Sequence, residues 1–351
     1  TAFTFNNIYL VQSYPSVNTI VNKVSDDKSS CLIIVIGNKS LEIFLKDIFI
    51  NNKHIKILRF GNYNMLYSKF QKLFYPFHLI LLRLSVNSFL CENLFVTFKD
   101  WGDIGLIQLT KIKSVNKFYL NPYETQQFTI CDRKPKSIKD YFYLYFHRLF
   151  IGKNLTLKSI NPKLNRKSPL IGITDTYFKN KNFLVSNLDK EDVKNEIIET
   201  YQKNHSLKKK GIIFIEKDLF ANDLVSSDEY WSFVRSIVSQ VNSIDLEVYL
   251  KFKPRNNNKL LEKKYKKYGM KILPHYVPLQ FFYGHSQMLL GLGFTSSGMA
   301  YGEEFKIISF AKALKINDSA KDIVQRSIEN TLKRAKSKKI FFPESVDQII
   351  K

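Results

Sequence analysis

Three short stretches place chemistry-bearing residues at the ends of apolar runs. The first, Lys99-Asp100-Trp101-Gly102-Asp103-Ile104-Gly105, follows a run ending at Phe98. Two carboxylates on a glycine-bearing turn suit general-base work when partial burial raises one pKa toward neutrality. A plain helix cap would use the same aspartates. The second, Lys251-Phe252-Lys253-Pro254-Arg255, sets three cations on a proline-fixed turn. Such a turn would neutralise a phosphate leaving group, or simply be a solvated loop. The third, Gly293-Phe294-Thr295-Ser296-Ser297-Gly298, runs from a strand into a small-residue turn. Hydroxyls beside the backbone N–H groups of a helix start make a phosphate cradle, or an ordinary Ser/Thr cap.

Turns like these act together only if strands deliver them to one edge. Short apolar runs do alternate with amphipathic stretches. Asn7 to Gln12 is closed by Ser13-Tyr14-Pro15, and Ser30 to Ile36 by Gly37-Asn38. A helix over Asn38 to Phe49 follows, then strand-like pieces at His54 to Phe60, His78 to Leu84 and Asn93 to Lys99. The rhythm lapses through polar Asn161 to Ser168 and the charged, helix-leaning Asp189 to Lys210. It restarts with strands over Gly211 to Glu216, Leu246 to Lys251, Met270 to Leu273 and Met288 to Phe294. Helices over Ser226 to Asn242, Lys259 to Tyr268 and Leu279 to Ser286 separate them. Near-continuous apolar strands between helices predict parallel sheets covered on both faces. The expected fold is α/β, with two Rossmann-like doubly wound domains over residues 1–190 and 191–351. A ligand is expected in the interdomain cleft, at the carboxyl ends of the strands.

Composition narrows the class. With 351 residues, 44% hydrophobic and 24% charged, the chain is globular rather than fibrous or disordered. Lys and Arg (54) outnumber Asp and Glu (31), giving a formal net charge of +23 that favours anionic partners. Heavy use of Lys, Asn, Ile, Phe and Tyr is also the bias of AT-rich genomes. Cys31, Cys91 and Cys131 are odd in number and far apart, offering neither a disulfide framework nor a zinc site. A reducing compartment is expected. No apolar run reaches the roughly 18 residues of a membrane span. The chain starts at Thr1, which leads us to expect that a preceding segment was trimmed. The glycine and histidine motifs of dehydrogenases, P-loop proteins, zincins and serine hydrolases are absent.

The order of the three turns, acidic, then Lys-Pro, then Ser/Thr, resembles the bacterial sialyltransferases and polysialyltransferases of the GT-B fold, close in style to glycosyltransferase family 52. Those families carry an acidic-acidic-Gly motif, a Lys-x-His-Pro motif and a Ser-Ser/Thr motif. Here the three appear as Asp100-Trp101-Gly102, Lys251-Phe252-Lys253-Pro254 and Ser296-Ser297. The family's Pro-x-Glu turn, which holds the cytidine ribose, corresponds to Pro278-Leu279-Gln280. Trp101 replaces one acid, Lys253 stands where the family has histidine, and Gln280 stands for Glu.

The resemblance implies an inverting, metal-independent glycosyltransferase that uses a CMP-activated nonulosonic acid as co-substrate, with no separate cofactor. Asp100 would be the base, with Asp103 as fallback. Lys251, Lys253, Pro254, Thr295, Ser296 and Ser297 would hold the phosphate, and Pro274, His275, Pro278 and Gln280 would frame the nucleotide. Gln12, Ser13 and Gly102 would face the acceptor, a capsule or lipooligosaccharide glycan at the inner face of a bacterial cell membrane. Lys253 would stabilise phosphate by charge, being a poor acid near neutral pH. His275 and His285 border the nucleotide segment and either would take over the missing role, unless both are structural. Contact with anionic lipid through the basic tail Lys333 to Lys339 is expected, its alternative being a solvated helix end. A UDP-, GDP- or Kdo-nucleotide donor is the alternative. Nucleic-acid binding is disfavoured because aromatic runs such as Tyr141 to Phe150 read as core.

Overall fold

A computed structural model describes residues 4–11, 14, 17–60, 77, 80–85, 90–98, 115–122, 130–153, 155–160, 170–173, 184–185, 193–204, 207–217, 219, 223–253, 258–283, 285–295, 299, 305–335 and 340–349. The chain divides into two compact units, Thr1–Glu191 and Asp192–Lys351.

In the first unit, β1 (Thr4–Val11), β2 (Cys31–Ile36), β3 (Ile55–Phe60), β4 (Leu90–Phe98), β5 (Val115–Pro122) and β9 (Leu184–Val185) form one sheet in the order β3-β2-β1-β4-β5-β9. Every pairing is parallel. Burial explains why β2 is apolar throughout: Cys31 to Val35 are all buried, as parallel strands covered on both faces require. Helix α1 (Val17–Asp26) makes the crossover from β1 to β2, and α2 (Lys39–Ile48) that from β2 to β3. Asn38 starts α2 by accepting the Leu41 N–H on its side chain, and the Leu41, Phe44 and Leu45 face is buried.

A small antiparallel sheet of β6 (Ile130–Arg133), β7 (Leu155–Ile160) and β8 (Leu170–Ile173) lies between β5 and β9 in sequence. Helix α3 (Ile138–Ile151) joins β6 to β7, capped by Ser137 accepting from Asp140 N–H. Its inner face is buried Leu144 and His147, and β7 buries Leu155 and Leu157.

Two sequence expectations change here. Residues 80–85 are helical rather than extended, with Leu82 buried between exposed Leu81 and Leu84. A short apolar run interrupted only by Arg83 is too brief to show a period, so it could not choose between the two forms. The aromatic run Tyr141 to Phe150 is not wholly core: Tyr141, Phe142, Tyr145 and Leu149 are exposed. A largely apolar helix reads as buried from sequence, yet among the described residues the side that packs is the inner one, toward β7.

The second unit begins with α4 (Asn195–Asn204) and holds β10 (Gly211–Ile215), β11 (Glu247–Lys251), β12 (Lys271–Ile272), β13 (Met288–Gly293), β14 (Ile307–Ser309) and β15 (Ile340–Phe341). Their order is β12-β11-β10-β13-β14-β15, again all parallel. Helices α5 (Ser227–Ser243), α6 (Lys259–Lys267), α7 (Gln280–Tyr283) and α8 (Lys321–Ala335) complete it. On α5, Trp231, Val234, Val238 and Val241 recur at helical spacing and join the core with Phe214, Leu250 and Phe310. Each such side chain contributes about 1.5–3 kcal/mol on burial. Both units thus have the Rossmann-like doubly wound arrangement: the order reverses beside the first strand, between β1 and β4 in one and between β10 and β13 in the other.

Candidate functional site

Register decides which residues meet at the carboxyl edge of the second sheet. Ile215 of β10 pairs with Lys251 of β11 and with Gly293 of β13. Two residues further along each strand stand Lys217, Lys253 and Thr295. Leu250 pairs with Ile272 and Gly293 with Ser309, so His275 and Ala311 extend the same row. The row is centred on the point between β10 and β13 where strand order reverses, the place where doubly wound sheets bind ligands.

At its centre Lys217 Nζ donates to Thr295 Oγ1 at 2.5 Å and to Ser327 Oγ, on α8, at 3.4 Å. The two hydroxyls are 2.7 Å apart. The ammonium lies 5.0 Å from the centroid of the Phe294 ring. The Phe294 carbonyl is pinned by fully buried Ser309, whose hydroxyl donates to it at 2.5 Å, and this fixes the turn that presents Thr295. Gly293 permits the close approach behind that turn, since a Cβ there would meet Met299 Sδ at 3.0 Å and Ile215 Cβ at 3.3 Å.

Hydrogen counting shows what the cluster offers. An ammonium has three N–H donors and each hydroxyl one. Two ammonium donors go to the hydroxyls and one hydroxyl proton joins them, which leaves one N–H and one O–H to donate elsewhere. Burial, and then the charge of Lys253, lower the Lys217 pKa from 10.5 to about 8. Among the described residues no carboxylate pairs with Lys217 or Lys253. Spare donors and positive charge that no described carboxylate pairs suit an oxyanion.

Lys251 does something else. It is almost wholly buried, and Nζ donates to the Phe252 carbonyl at 2.7 Å and the His275 carbonyl at 3.1 Å. Burial lowers its pKa to about 7, and its N–H groups serve those two carbonyls. It ties the end of β11 to the loop after β12. Burial and then the Lys251 charge lower the His275 pKa, and burial alone lowers that of His285.

Of the residues singled out from sequence, the structure therefore brings Lys253, His275 and Thr295 into one row, with Lys251 buried among its backbone supports. Pro274 opens the turn that carries His275, Val277 N–H donating to its carbonyl. Pro278 and Gln280 lie further along, where the chain returns toward β13. There α7 packs on α4 through Gln202 Nε2 and the Phe281 carbonyl, 3.3 Å apart, and no hydrogen bond among the described residues links Gln280 to the Lys217 cluster. Gln12, Ser13, Asp100, Gly102, Asp103, Pro254, Ser296 and Ser297 lie outside the described residues. Among the described residues no three His, Cys, Asp or Glu side chains gather as a metal site, and no helix is long and apolar enough to cross a membrane.

Lys217 and Ser327 were missed from sequence. Lys217 did carry a signal: it follows the first strand of its domain, the place that Gln12 and Ser13 occupy in the other. Ser327 sits mid-helix in α8 and carried none.

The chain matches no protein-family model and no curated protein. Among solved structures it is similar to a glycosyl transferase family 9 protein of Veillonella parvula, at 10% identity over 95% of this chain and 96% of that one, with a TM-score of 0.41. It is also similar to the UDP-GlcNAc 2-epimerase of Methanocaldococcus jannaschii (10% identity, 98% and 91% covered, TM-score 0.41). A third is the ADP-heptose lps heptosyltransferase II of E. coli (8% identity, 87% and 84% covered, TM-score 0.37).

Proposed function

We propose that the chain is an inverting glycosyltransferase whose second unit grips the phosphate of a nucleotide-activated sugar, with a CMP-linked nonulosonic acid as the donor. The supporting observation is the cluster of Lys217, Lys253, Thr295 and Ser327, its lysines paired with no carboxylate among the described residues, at the strand-order reversal of a Rossmann-like sheet. Departure of CMP develops negative charge on the phosphate, and fixed cations and hydroxyls in a partly desolvated crevice stabilise it. In this reading Lys217 joins Lys253, Ser296 and Ser297 on the phosphate, while Pro274, Pro278 and Gln280 frame the cytidine. Asp100, or Asp103 in its place, deprotonates the acceptor hydroxyl, with Gln12, Ser13 and Gly102 on the acceptor side. No metal is required, because the lysines supply the charge. The acceptor is a cell-surface glycan, of capsule or lipooligosaccharide type, made at the inner face of the membrane.

Calorimetric titration of the whole chain with CMP, UDP, GDP and inorganic phosphate, with Mg²⁺ and with EDTA, tests the donor. Tight CMP binding indifferent to EDTA is expected. Preference for UDP or GDP would reassign the donor within the same site, and absence of binding to all four would overturn the reading. Asp100→Asn is expected to abolish transfer while leaving CMP affinity within a few-fold.

A further inference from the structure

The helix α3 has an inner face and an outer one, and the second-unit site uses neither. Its inner face packs toward β7. Its outer face presents Ile138, Tyr141, Phe142, Tyr145 and Leu149, with fractional exposures from 62% at Tyr141 to 88% at Ile138. At about 3.6 residues per turn these five fall on one stripe about 100° wide. Exposed Lys139 and Arg148 fall on opposite sides of that stripe. Exposed Lys134, Lys136 and Lys153 flank the helix ends. The one acid between residues 134 and 153, Asp140, is buried, its carboxylate accepting the Lys136 N–H. The segment is therefore an apolar ridge in a cationic frame.

We infer that α3 is a membrane-docking helix that lies in the headgroup region of an anionic bilayer, with its outer stripe among the acyl-chain ends. The chemistry of the ridge selects this partner. Tyr, Phe, Ile and Leu on a convex helix suit the interface, where tyrosine keeps its hydroxyl wet. Lys and Arg beside the stripe bury their stems and meet lipid phosphates, each cation strengthening binding roughly fivefold. A single-strand nucleic-acid site would instead set aromatic rings along a basic groove, without aliphatic residues at both ends of the row. The inference rests on α3 alone and is independent of the donor and of the transferase reading.

Sedimentation of the whole chain with vesicles tests it, using phosphatidylcholine alone and phosphatidylcholine with one third phosphatidylglycerol. Binding at least tenfold stronger to the anionic vesicles is expected, together with its loss in Phe142→Asp/Leu149→Asp and its weakening in Lys136→Glu/Lys139→Glu. These side chains are exposed, so thermal melting should stay within about 1 °C. Phe142→Trp keeps the ridge apolar and supplies a reporter that brominated anionic lipid should quench. Equal binding to both vesicle types, no quenching, oligonucleotide binding lost in the same variants, or a dimer dispersed by them would each overturn the inference.

Discussion

The two parallel sheets share one strand order, and the described residues include a polar cluster at the amino edge of the first and another at the carboxyl edge of the second. In the first unit the cluster sits where β2 begins. Asn93 Nδ2 donates to Asn7 Oδ1 at 2.8 Å, and Asn7 Nδ2 donates to Asp27. Ser29 N–H and the Cys31 thiol also donate to the Asp27 carboxylate. Burial by itself would raise the Asp27 pKa, but the hydrogen bonds from Ser29, Asn7 and Cys31 outweigh it and hold the carboxyl below its usual range. Burial, then Asp27, push the Cys31 thiol up to about 12, so it is inert as a nucleophile. The carboxylate here is met by neutral donors on its described sides. In the second unit the polar row sits where β10, β11 and β13 end, and no described carboxylate pairs with Lys217 or Lys253 there. A satisfied network at the amino edge stabilises a fold, and an unsatisfied one at the carboxyl edge leaves free energy for a ligand.

That contrast breaks most sharply at Lys217. Replacing it with methionine removes a charge-assisted hydrogen bond of about 1.5–3 kcal/mol, so nucleotide affinity should fall about tenfold to a hundredfold. Melting temperature should hold or rise, because a desolvated cation has gone; unchanged affinity by titration would erase the asymmetry. Asn7→Leu is the mirror experiment. It leaves polar partners in the first unit unsatisfied, at about 1–3 kcal/mol, with hydrogen exchange accelerating in β1 and β4 and nucleotide affinity intact. A loss of affinity there would mean that the amino-edge network supports the site.

Titration sharpens the comparison further. With its pKa near 8, Lys217 loses charge as pH rises from 7 to 9, and affinity for a phosphate anion should drop about tenfold over that interval. Without ligand the sign reverses. The folded lysine gives up its proton near 8 while the unfolded one holds it to 10.5, so stability gains as pH climbs between those values. A flat affinity profile from 7 to 9 would remove Lys217 from the anion contact. The smallest effect belongs to Glu42, bridged to Lys46 at 2.7 Å and to Arg59 at 2.8 Å in the first unit. Hydrogen bonds and charge from both bases outweigh burial and lower its pKa below 4.5. Its contribution is thus present above 4.5 and lost as pH falls through the lower folded value. Glu42→Gln should cost about 0.5 kcal/mol or less near neutrality, with no change in ligand affinity.

Much of the fold was legible because its signals are local. Asn38 and Ser226 announce α2 and α5 by accepting the N–H three residues on, and the β-branched apolar runs Cys31 to Ile36 and Gly211 to Ile215 read as buried strands. The stretch 80–85 was misjudged because its apolar run fits either form. At the site, Lys253 and Thr295 stood out as members of local clusters. Lys217 did not, because nothing nearby in sequence reveals its two hydroxyl partners.

The chain by itself determined two α/β halves, their strands and caps, and a surplus of positive charge, since periodicity and capping act over a few residues. Only the tertiary structure set β10 beside β13 and so joined residues 217, 295 and 327 in one cluster. It alone decided which side of α3 meets β7 and which meets solvent. Periodicity tells which residues share a face; what that face touches depends on partners far along the chain.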